Sequence, residues 1–259
     1  MSKPLFDMSL RAARRDRAFR LGPALFLHER AFADIIERIA LVRRRFRAAL
    51  LIGCPDPAWP MQLKQVADRV SVADPGNAFA GAVGGRRLTE DEERLEGEFD
   101  LCVTVGTLDT VNQLPLALAN IRAALVADAL LIGAISGGNT LPRLRAAMRD
   151  ADAVMGGASP RVHPRIDGPS LAGVLAEVGF VMPVVDVDNV SVNYASLRRL
   201  VTDLRAMGAT NILNDRSKTP LSRQALAAAE RNCNPLAGSA RTTEVFEVLH
   251  FAAWTPAAA

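Results

Sequence analysis

Ala48-Ala49-Leu50-Leu51-Ile52-Gly53-Cys54-Pro55-Asp56-Pro57 is the stretch on which the reading of this chain turns. Five consecutive apolar residues are too few for a helix and end in a glycine and two prolines. That pattern reads as a strand buried on both faces entering a tight turn. Upstream, the apolar period is helical over 9–20 and again over 29–46, where Phe32, Ile35, Ile36, Ile39 and Val42 recur every three or four residues. Downstream, strand-like and helix-like segments alternate: strands at 70–73, 99–105 and 129–135, with a helix at 112–126. Buried strands joined by crossover helices predict an α/β fold with a doubly wound, mostly parallel sheet.

Past the sheet's first half, Gly137-Gly138-Asn139-Thr140 predicts a turn, with Asn139 or Thr140 as N-cap and Pro142 in the first helical turn. Residues 155–169 are rich in Gly and Pro and read as an ordered loop. A helix at 170–178 follows, then extended segments at 180–187 and 190–194 around an Asp188-Asn189 turn. A helix at 196–207 stops at Gly208, another fits 220–231, and a β-branched and aromatic run covers 242–254 before a frayed tail at 255–259. The expected organisation is an N-terminal helical extension, 1–47, on a domain spanning 48–259, together one compact unit.

With 259 residues, 49% of them apolar, the chain can bury a substantial core, which excludes disorder as a whole. The net charge of +3 hides an uneven distribution: residues 1–47 carry twelve basic and five acidic groups, and residues 48–100 carry five and ten. Aromatics are only 5% of the chain, so the basic arm has no stacking platform beside it and nucleic acid is not the expected partner. Cys54, Cys102 and Cys233 are odd in number and lack CxxC spacing, which implies reduced thiols and no thiolate zinc site. His28, His163 and His250 offer no paired metal spacing, and no nucleophile–base arrangement identifies catalytic residues. No apolar run approaches the length of a membrane span. The start, with Arg11, Arg14, Arg15, Arg17 and Arg20, is interrupted by Asp7 and Asp16 and reads as a basic amphipathic helix rather than a transit peptide.

In open α/β sheets, ligands lie beyond the carboxyl ends of the strands, so the turn after Ile52 is the place to look. It holds Gly53 alone of the GxGxxG pattern, which argues against a nicotinamide or flavin dehydrogenase. Asp74 falls at the end of the second strand, where a carboxylate can accept both hydroxyls of a ribose or, equally, order the turn before Pro75-Gly76. The run Glu90-Asp91-Glu92-Glu93 could offer a carboxylate to an adenine amino group, although most such runs are solvated faces.

EDEERLEGEFDLCVTVGTLD at 90–109, continuing to Met148, resembles the second half of a class I S-adenosylmethionine-dependent methyltransferase domain. GGASPRVHPRIDG at 156–168, the stretch 175–213 and EVFEVLHFAAWTP at 244–256 are most similar to the methyltransferase-like assembly factors of respiratory complex I and their alphaproteobacterial relatives. The resemblance implies a seven-stranded sheet whose last strand runs antiparallel. It implies S-adenosylmethionine as cofactor, with Gly53 and Cys54 in the cofactor turn, Asp74 on the ribose, Asp91 and Glu92 on the adenine side, and Val105, Gly106 and Thr107 lining the pocket. It also implies a respiratory complex I subunit as partner and a bacterial cytoplasmic location, and the basic first helices suggest peripheral contact with membrane headgroups.

Departures from the family pattern cluster at this site. Leu51 stands where the family has an acidic residue, Pro55 and Pro57 replace its second and third glycines, and Asp109 and Thr110 replace a His and a Trp. A proline at 55 removes a backbone donor and adds bulk beside the ligand's path. Two functions therefore stand: a methyltransferase-like enzyme modifying a protein arginine during complex I assembly, or a degenerate relative that binds and holds a subunit.

Overall fold

The computed structural model describes residues 3–233 and 241–258; residues 1–2, 234–240 and 259, which include the ends of the expected extension and tail, lie outside the described residues. Seven strands form one sheet: β1 (Phe46–Ile52), β2 (Ala67–Asp74), β3 (Arg86–Arg87), β4 (Phe99–Val105), β5 (Leu125–Ser136), β6 (Val181–Tyr194) and β7 (Thr242–Trp254), in the order β3-β2-β1-β4-β5-β7-β6. Strands β1 to β5 pair in parallel, and β7 lies antiparallel between β5 and β6. This is the doubly wound, seven-stranded architecture expected from the sequence, with the antiparallel strand in place.

The helices are α1 (Met8–Leu21), α2 (Phe26–Leu41), α3 (Trp59–Leu63), α4 (Asn77–Ala82), α5 (Leu114–Ala123), α6 (Pro142–Met155), α7 (Gly168–Glu177), α8 (Leu197–Ala206) and α9 (Arg223–Cys233). Alternate residues of the parallel strands feed two cores. Leu50, Ile52, Cys102 and Leu131 pack under α5 and α7 with Leu118, Ile121, Leu171 and Leu175. Ala49, Leu51, Leu101 and Val103 pack under α2, with Phe32, Ile35 and Ile39. Phe32 stacks face to face on Trp59 with ring centroids 4.1 Å apart, so the short α3 is fixed by an aromatic contact and not by its own length.

Four local expectations are corrected. The second helix ends at Leu41, not at 46, because Arg43 adopts φ 53° and the chain then enters β1 at Phe46. The Asp188-Asn189 pair makes no turn: β6 runs unbroken because β7 pairs along it, placing Asp188 opposite Val248 and Asn189 opposite Glu247. The N-cap of α6 is Leu141 at φ 62°, with Pro142 first in the helix. Glu244 of β7 accepts the first-turn N–H groups of Arg143 and Leu144, while Asn139 and Thr140 bind Glu247 instead. The tail is not frayed at Thr255, whose hydroxyl donates to Val126 O and accepts from Ala129 N. Gly208, with φ +73°, follows α8 as expected.

Candidate functional site

Register brings the site together. Ile52 lies level with Ala73 on one side and Thr104 on the other, so Gly53, Asp74 and Val105 emerge at the same carboxyl edge. Gly53 turns the chain at φ +82°, and a Cβ there would overlap Val105 O and come within 2.6 Å of Thr107 Cγ2. Gly106, at φ +63°, donates its N–H to Ala134 O, and a Cβ on it would meet His28 Nε2 at 3.0 Å. Gly53, Cys54, Asp74, Val105, Gly106 and Thr107 thus gather at one end of the sheet, and of the six Val105 and Gly106 line the neighbouring cavity.

Asp74 is fully buried, and four donors converge on it. Cys54 N–H reaches Oδ2 at 3.0 Å and Gly76 N–H reaches Oδ1 at 2.7 Å. Arg15 of α1 adds a two-pronged pair, Nε to Oδ1 at 2.7 Å and Nη2 to Oδ2 at 2.6 Å. Each carboxylate oxygen therefore accepts two hydrogen bonds, which uses the oxygen lone pairs a ribose would need.

One turn earlier on α1, Arg11 does the same to Glu90: Nη1 to Oε2 at 2.6 Å and Nη2 to Oε1 at 2.9 Å, with Glu90 fully buried. Nη2 of Arg11 also donates to Thr107 O, and its Nε donates to the Thr110 hydroxyl. Two arginines four residues apart on one helix face thus meet two carboxylates on the sheet edge.

The acidic run divides its work. Asp91 is buried, and its Oδ2 accepts the N–H groups of Asn112 and Gln113, leaving Oδ1 unpartnered. Glu92 is exposed, and Glu93 binds Thr89 N. Among these residues it is Glu90 that meets α1, and its pairing with Arg11, like that of Asp74 with Arg15, is what the sequence reading missed. The available signal was the four-residue spacing of the arginines. The basic arm is also corrected: α1 buries Arg11, Ala12, Arg15 and Ala18, so it turns two charges inward and carries no apolar stripe. Trp59 and Met61 do not fill the cleft, one being stacked in the core and the other 64% exposed.

Behind the arginines lies a cavity of about 100 Å³ whose lining includes Leu27, His28, Leu141, His163, Arg165 and Phe246. The Gly- and Pro-rich loop contributes His163 and Arg165 to its wall. His163 Nε2 accepts from Ile212 N at 3.0 Å, which puts the neutral ring's proton on Nδ1, and Phe6 packs edge-on to the ring. Arg165 pairs with Asp109, and burial brings its guanidinium down to about 10. Both departures at 109 and 110 therefore have partners, Asp109 with Arg165 and Thr110 with Arg11.

Burial, then the charge of Arg15, pushes His28 down to about 4; burial, then Arg145, does the same to His163. Both are neutral at pH 7. Because the unfolded chain takes up these protons near pH 6.5 and the folded chain only near 4, stability is full above that window and falls as pH drops through it, by about 1.4 kcal/mol per unit for each ring. Urea midpoints should therefore fall steeply between pH 7 and pH 5, and less so in His163→Gln, which keeps an acceptor for Ile212. A midpoint flat over that range contradicts the assignment.

The Cys54 thiol donates to Asp56 O and is pushed up to about 12 by burial, then by Asp74 and Asp56, so it is not a nucleophile at neutral pH. Among the described residues no cluster of His, Cys, Asp or Glu is arranged to hold a metal ion, and no helix is long and apolar enough to cross a membrane.

No protein-family model matches the chain. It is 30% identical over 267 aligned positions to Arginine-hydroxylase NDUFAF5, mitochondrial, of Danio rerio, covering 97% of this chain and 83% of that protein. The chain belongs to the NDUFAF5 family. This member shares its fold with the YcgJ protein from Bacillus subtilis (TM-score 0.59, 10% identity, 89% of this chain and 100% of that one). It also shares it with the N-methyltransferase NodS from Bradyrhizobium japonicum WM9 in complex with S-adenosyl-L-homocysteine (TM-score 0.51, 15% identity, 96% and 100%).

The residues of this family member do not fit S-adenosylmethionine as they stand. Asp74 has no open lone pair, and Pro55 is buried beside Gly53 without an N–H. Leu51 is fully buried against the α2 core, where an ionised carboxylate would lack a partner.

Proposed function

We propose that this chain is a methyltransferase-like factor in respiratory complex I assembly whose target is an arginine-bearing subunit, and that it does not hold S-adenosylmethionine tightly. The single observation that carries the second part is the saturation of Asp74 by Arg15, Cys54 N and Gly76 N. The first part rests on membership of a family whose curated relative is named an arginine hydroxylase. In this reading Gly53, Cys54, Asp74, Val105, Gly106 and Thr107 form the cofactor-facing edge inherited with the fold. Asp91 orders the segment at Asn112, and Glu92 takes no direct part.

Loss of one charge-assisted hydrogen bond costs about 1.5–3 kcal/mol, roughly ten- to a hundredfold in affinity. Leu51 and Arg15 each remove such a bond, so calorimetric titration of the full chain with S-adenosylmethionine is expected to give no saturable heat at low-micromolar concentration. A low-micromolar Kd overturns this part of the reading. The partner assignment is tested in a strain lacking the chain: complex I should fail to assemble, and wild type should restore it. Mass spectrometry of arginine-containing subunit peptides then sorts the activity. An added oxygen or an added methyl marks an enzyme, and restored assembly with unmodified peptides marks a holding factor.

A further inference from the structure

α1 occupies the cleft in an unusual way. The face it buries consists of Arg11, Ala12, Arg15 and Ala18, against Phe32, Ile35 and Ile39 for α2. Its apolar contact includes Ala12, Ala18 and Phe19, which meets Phe79 of α4 edge-on at 5.4 Å, while its attachment at Asp74 and Glu90 is made by two buried ion pairs. Such pairs give back in Coulomb attraction about what they lose in desolvation, so their net contribution to holding the helix down is small.

Its ends differ too. The start is anchored: Phe6 packs with Ile212 and Leu213 and bridges to Leu213, and Asp7 N–H donates to Ile212 O. The finish is a glycine with φ +84°, Gly22, followed by Pro23. The rest of the helix is held by scattered polar contacts, Arg17 Nη2 donating to the Thr210 hydroxyl at 3.0 Å and Asp16 Oδ1 accepting from Ala78 N at 2.8 Å.

We infer that α1 is an internal ligand of the cleft: Arg15 and Arg11 stand in for a nucleoside on Asp74 and Glu90, and the cleft admits an S-adenosyl nucleoside only when α1 leaves. The inference rests on the reading of Asp74 as the nucleoside-facing carboxylate, and it adds a closed state to Leu51 and Pro55 as a cause of weak cofactor binding. The helix competes directly with the ligand because both need the same oxygens of Asp74. Removing the fork while keeping the charge should therefore favour the nucleoside. Lysine meets a carboxylate as a point charge, without the bidentate geometry.

The test is hydrogen exchange on the full chain, wild type and Arg11→Lys/Arg15→Lys, titrated with S-adenosylhomocysteine to millimolar concentration. The expected result is protection of residues 53–76 accompanied by faster exchange of the α1 amides. The ligand concentration for half-effect should be at least tenfold lower in the double variant. Because wild type is measured as well, the inference survives a variant that folds poorly.

Protection of 53–76 with α1 exchange unchanged overturns the inference while leaving the nucleoside reading standing. Fast α1 exchange in the variant with no protection by ligand overturns both, because the opened cleft then takes no nucleoside. Equal half-effect concentrations in the two chains overturn the competition between arginine and ribose.

Discussion

Asp74→Ala is expected to lower stability by about 3–5 kcal/mol, the cost of stranding a buried charge, which for a chain of this size is roughly 6–20 °C in Tm. Asp74 is 0% exposed and accepts four hydrogen bonds. Its removal leaves the Arg15 guanidinium unpaired in a dry site and frees the N–H groups of Cys54 and Gly76. The decisive control is the double replacement Asp74→Leu/Arg15→Met. Substituting apolar groups for both members of a buried pair is close to neutral, so the double variant should regain most of the loss. Thermal unfolding with the single variant within about 2 °C of wild type would contradict a buried, coupled pair.

Gly53→Ala is expected to cost about 2–4 kcal/mol, combining a left-handed backbone with overpacking. The new Cβ would overlap Val105 O and lie 2.6 Å from Thr107 Cγ2. Adding Thr107→Ser removes that methyl group but not the carbonyl, so it should recover part of the loss and no more. Urea denaturation of the three chains measures both effects. An alanine variant as stable as wild type would show that β1 and β4 can part at no cost, which the buried register between them argues against.

The sheet was legible because its evidence is local. Leu50, Leu51 and Ile52 followed by Gly53 read as a buried strand and a turn without reference to the rest of the chain. The same holds for 242–254 and for Gly208 after α8. What failed depends on partners far along the sequence. Asp188-Asn189 reads as a turn until β7 supplies a continuous ladder, and α6 takes its capping oxygens from Glu244, about a hundred residues away. The candidate site divides in the same manner. Gly53 and Asp74 could be placed from strand ends and Gly106 from the family resemblance, whereas Arg11 and Arg15 could be read only as part of a basic arm. Burial changes what an arginine means, and burial here follows from where α1 docks. The departures Asp109 and Thr110 were visible as departures, but their meaning lay in Arg165 and Arg11.

The placement of β7 between β5 and β6 bears on how the molecule is made. β5 ends at Ser136 and β7 begins at Thr242, so α6, α7, β6, α8 and α9 all leave the ribosome while a slot in the sheet stands open. Throughout that interval β5 presents an edge whose native neighbour has not been synthesised, although β6 has been. An unpaired edge next to exposed apolar side chains is a template for wrong partners. Closing the slot joins segments far apart in sequence, which makes it a slow step. The nascent chain is therefore most exposed to aggregation, and most in need of a chaperone, late in its synthesis, just before Thr242–Trp254 can slide in.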